Sequence, residues 1–69
     1  MKRDKRLDEM IDMFGYDYVI GYCLCSEYDL NRKASIEDDE RKASSLRYIA
    51  NKYGRTAEQL TKERIENGL

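Results

Sequence analysis

The sequence has no histidine, no proline and no tryptophan, and among its 69 residues only two cysteines and four glycines. Each scarcity narrows the chemistry. Without histidine there is no Ser–His–Asp triad and no Cys–His pair, and the commonest transition-metal ligand is missing. The two thiols, Cys23 and Cys25, stand two positions apart, so on a helix they point in different directions and cannot share one ion. They also lack the Cys-x-x-Cys spacing of dithiol redox motifs. What remains for them is a reading as two small apolar side chains buried in a reducing cytosol. Four scattered glycines build no phosphate-cradling loop. Together these absences predict a chain that is not an enzyme and holds no metal and no cofactor.

The lack of proline also removes the strongest helix breaker, which favours long uninterrupted helices over a turn-rich sheet protein. The longest apolar run, Tyr18 to Cys25, has eight residues, against the ~20 that a membrane-spanning helix needs. No apolar signal-peptide core follows the basic opening Met1-Lys2-Arg3-Asp4-Lys5-Arg6. The expectation is a soluble cytoplasmic protein with no membrane contact.

What is present is charge, at 39% of residues, and six tyrosines. The net charge of −1 hides an asymmetry: residues 1–40 carry six basic and eleven acidic side chains, residues 41–69 seven basic and three acidic. Only the C-terminal part has the sign to attract nucleic acid.

Periodicity predicts helices throughout. Leu7, Met10, Ile11 and Phe14 form an apolar stripe over about residues 4–14, and Gly15 stands where a left-handed C-cap is wanted. A second helix, capped by Asp17, is expected to run to about Lys33. Its opening turns, Tyr18 to Cys25, are apolar on every face and so call for burial on several sides; a strand is the rival reading, but no second run exists to pair with it. From Ser26 the segment turns polar and is expected to fray or turn. Ser35-Ile36-Glu37-Asp38 resembles a capping box opening a third helix, with Ala43, Leu46, Ile49, Ala50 and Tyr53 on one face and Gly54 ending it. Thr56 would cap a fourth helix, Ala57 to about Asn67, with Gln59 in the reciprocal position and Leu60 and Ile65 as anchors. The fold expected is all-α: a small bundle of three to four short helices, one domain over residues 1–69, dimerising.

Three functional readings follow. The first rests on the tyrosines, which bring large apolar area with a polar tip and are favoured at interfaces. Tyr16, Tyr18 and Tyr22, beside an all-apolar helix, are hard to hide within one subunit. They predict, with Tyr28, a surface that docks a protein partner or a second copy. The acidic run Glu37, Asp38, Asp39 and Glu40, mainly a helix start, can complement a basic partner. The chain would then be an inhibitor, an adaptor or a small regulator.

The second reading rests on the stretch Ile49 to Leu60, which looks like the centre of a helix-turn-helix. In that family a small residue, Ala50 here, lets two helices approach, a glycine, Gly54, makes the turn, and Thr56 caps the recognition helix. The resemblance implies that Thr56, Glu58, Thr61 and Lys62 face a DNA groove, with Arg47, Lys52 and Arg55 near phosphates. Arg55 and Glu63 depart from the pattern, standing where apolar residues are usual. The third reading is a magnesium-dependent nucleotide-processing helical protein. Glu9-x-x-Asp12 with Glu37-x-x-Glu40 mimics the paired acidic turns by which all-helical nucleotide pyrophosphohydrolases hold magnesium.

Overall fold

The computed structural model describes residues 4–68; Met1, Lys2 and Arg3 of the basic opening lie outside the described residues. Three helices follow one another: α1 over Lys5–Phe14, α2 over Tyr16–Ile36 and α3 over Glu40–Glu66. The described residues contain no strand, so the helical reading of the apolar run at Tyr18 to Cys25 holds.

Helix α1 forms as its pattern predicts. Asp4 accepts a hydrogen bond from the Arg6 backbone N–H at 2.9 Å and caps the start. At the other end the Gly15 N–H donates to the Ile11 carbonyl (2.8 Å). Gly15 has φ of +90°, a region costly for any residue with a Cβ, and this lets the chain pass from α1 into α2 through one residue. Asp17 therefore does not cap α2, whose N-cap is Gly15 without a side-chain bond. It instead pairs with Arg64 Nε at 3.0 Å, tying the start of α2 to the last turns of α3.

The second helix does not fray after Ser26. It continues to Ile36, held by Asp29, which pairs with Arg32 (3.0 Å) and Lys33 (3.4 Å), and by Leu30 and Ala34 turned toward α3. The two cations hold the Asp29 carboxyl below its ordinary range, Arg32 first. The predicted capping box at Ser35 is not formed: Ser35 lies in the last turn of α2 and its hydroxyl donates to the Arg32 carbonyl (2.7 Å). The cap of α3 falls four residues later, where Asp39 accepts from the Arg41 N–H at 2.9 Å.

The largest departure is α3 itself. The predicted third and fourth helices are one helix of 27 residues running straight through Gly54. A mid-helix glycine costs about 1 kcal/mol relative to alanine. Buried Ala50 on one side of it and buried Ala57 and Leu60 on the other outweigh that penalty. Thr56 caps nothing; its hydroxyl donates to the Lys52 carbonyl within the helix (2.9 Å). Of the two anchors expected beyond it, Leu60 is fully buried while Ile65 is 68% exposed.

Helices α2 and α3 form an antiparallel hairpin joined by residues 37–39. The seam has a period that the four-helix reading concealed. Ala43, Ala50 and Ala57 are spaced seven apart and buried, with Leu46, Tyr53 and Leu60 three positions after each. That is the a/d pattern of a coiled-coil face. Helix α2 answers with Val19, Cys23, Ser26, Leu30 and Ala34 at spacings of three and four. Alanine in the seam lets two helix axes approach to the short end of the usual ~8–10 Å range. Near the open end Leu7, Met10 and Ile11 of α1 pack against the cluster of Val19, Cys23, Ala57 and Leu60. Phe14, the fourth residue of the predicted stripe, stays outside this core, half exposed.

Candidate interaction surface

The fold divides the six tyrosines. Tyr16 turns inward: it packs against the core cluster, and its hydroxyl accepts from the Asn67 side-chain amide (3.4 Å). Tyr18 and Tyr22, one helical turn apart on α2, are 55% and 45% exposed. Phe14 lies against Tyr18 with ring centroids 4.6 Å apart, and Tyr22 meets Tyr53 of α3 edge-on at 6.1 Å. Ile49, one turn before Tyr53, is 43% exposed. Phe14, Tyr18, Tyr22, Tyr53 and Ile49 thus form an uncharged strip that crosses from α1 over α2 to α3. Phe14, Tyr53 and Ile49 were not among the expected interface residues. Their signal was present in the sequence as apolar positions, but only the hairpin shows that α1 and α3 deliver them beside Tyr18 and Tyr22.

The Tyr53 phenol is held above its ordinary range, first by its hydrogen bond with Tyr22 and then by burial. Tyr28 is 73% exposed and, with Tyr22, lines a shallow depression shared with Leu24, Cys25, Ser26 and Asp29.

The acidic run lies at the tip of the hairpin, about 20 Å along α2 from Tyr22. Three of its members have local work. Glu37 accepts from the Asp39 N–H (3.1 Å), Asp39 caps α3, and Glu40 pairs with Arg47 at 2.9 Å. Asp38 is exposed. The paired acidic turns of the magnesium reading are not brought together. Glu9 and Asp12 lie on α1, while Glu37 and Glu40 lie at the tip beyond the ~30 Å length of α2. No group of three or more acidic or thiol side chains among the described residues is placed to hold a metal ion.

The helix-turn-helix corner is likewise absent, because α3 does not bend at Gly54 into a second helix. Ala50 does permit close helix approach, but in the seam with α2. Four of the seven residues expected at DNA come together on one side of α3, while Arg47, Lys52 and Thr56 do not join them. Arg55, Glu58, Thr61 and Lys62 line an open groove with Asn51, Gly54, Leu24 and Glu27, so two carboxylates share it with two cations. Lys52 points elsewhere, 5.1 Å from the Tyr48 ring centroid, and Arg47 is engaged by Glu40. Gly54 serves as a notch: a Cβ there would meet the end of the Glu27 side chain. No helix among the described residues is long and apolar enough to cross a membrane. No family model, curated protein or solved structure matches this chain.

Proposed function

We propose that this chain is a small non-enzymatic interaction protein, an inhibitor or adaptor, that docks on a protein partner through the strip Phe14, Tyr18, Tyr22, Tyr53 and Ile49. The observation that carries the proposal is the uneven use of apolar side chains. Four of the seven buried residues among those described are alanines, while Phe14, Tyr18, Tyr22 and Ile49 remain exposed. A chain with a small core gains most from burying its largest apolar groups. Phe14 lying against Tyr18, and Tyr22 against Tyr53, leave aromatic area together at the surface, which is the pattern of a binding face. Self-association belongs to this reading, since a face of this kind accepts a second copy as readily as another helical protein.

The test is capture from a cell lysate by the immobilised chain. Tyr22→Ala and Tyr18→Ala are expected to weaken retention about tenfold or more each, with helicity unchanged. The Lys52/Arg55/Lys62 triple alanine variant is expected to retain it. Retention indifferent to both tyrosines would overturn the assignment. So would salt-sensitive binding to a mixed-sequence DNA duplex that disappears in the triple variant.

A further inference from the structure

We draw no further inference here: the strongest candidate, the apolar strip that crosses from Phe14 of α1 over Tyr18 and Tyr22 of α2 to Ile49 and Tyr53 of α3, is the surface already described, and nothing in the structure shows what covers it.

Discussion

Cys23 is sealed among Val19, Ala57 and Leu60, and burial raises its thiol above the ordinary value of 9.0, while Cys25 is exposed two positions later on the same helix. The pair should therefore react at very different rates. With a thiol reagent at neutral pH, one thiol per native chain is expected to label quickly, and the second only on denaturation. Two fast thiols would place Cys23 outside the core. The same neighbourhood sets an alkaline limit. Cys23 and Tyr53 both bind their protons more tightly folded than unfolded, so what they contribute to stability is complete below about pH 9 and is lost as pH rises through their folded values. The melting temperature is expected to be level near neutrality and to fall in alkali. Tyr22→Phe, which removes the hydrogen bond holding the Tyr53 proton, should make that fall shallower.

Among the helices, Gly15 and Gly54 show the same residue type put to opposite uses. Gly15 has a positive φ and breaks the chain between α1 and α2; Gly54 lies inside α3 with helical neighbours on both sides. Substitution separates them. Gly54→Ala meets only the flexible end of Glu27, which can swing aside, and is expected to leave stability unchanged or raise it by up to about 1 kcal/mol. Gly15→Ala is expected to cost about 1 kcal/mol or more, because alanine is strained at that φ. Chemical denaturation of both variants checks the pair. A destabilising Gly54→Ala would mean that the Glu27 side chain cannot give way at this notch. From sequence, a glycine followed by a mostly polar segment with Ala57 and Leu60 as its next apolar points gave no means to tell a corner from a notch, since the decision lies with Ala50, Ala57 and Leu60 and the surface of α2 against which they pack.

At the scale of the molecule, packing is concentrated at the open end. There α1 meets the hairpin over Val19, Cys23, Ala57 and Leu60, whereas the tip is joined by residues 37–39 and sealed by the smaller Ala34 and Ala43. Local stability follows buried apolar contact. Native-state hydrogen exchange is therefore expected to be slowest for the amides of residues 19–23 and 57–60, and faster at 34–36 and 41–44. Uniform protection along the hairpin would show that the alanine seam alone sets stability and that α1 adds little.

The sequence by itself determined the helical class, the limits of α1 and the Gly15 break, because helix period, capping residues and positive φ are local properties that a few neighbouring residues decide. It also held the seven-residue alanine spacing of α3, which a small side chain announces only weakly and which the presumed break at Gly54 interrupted. Tertiary structure alone decided that α3 runs unbroken, that the helix cap moves from Ser35 to Asp39, and that Tyr16 turns inward while Tyr18 and Tyr22 stay out to meet Phe14, Tyr53 and Ile49. Those outcomes depend on which helix lies across from which, and a burial gain spread over many contacts outweighs a local preference of about 1 kcal/mol.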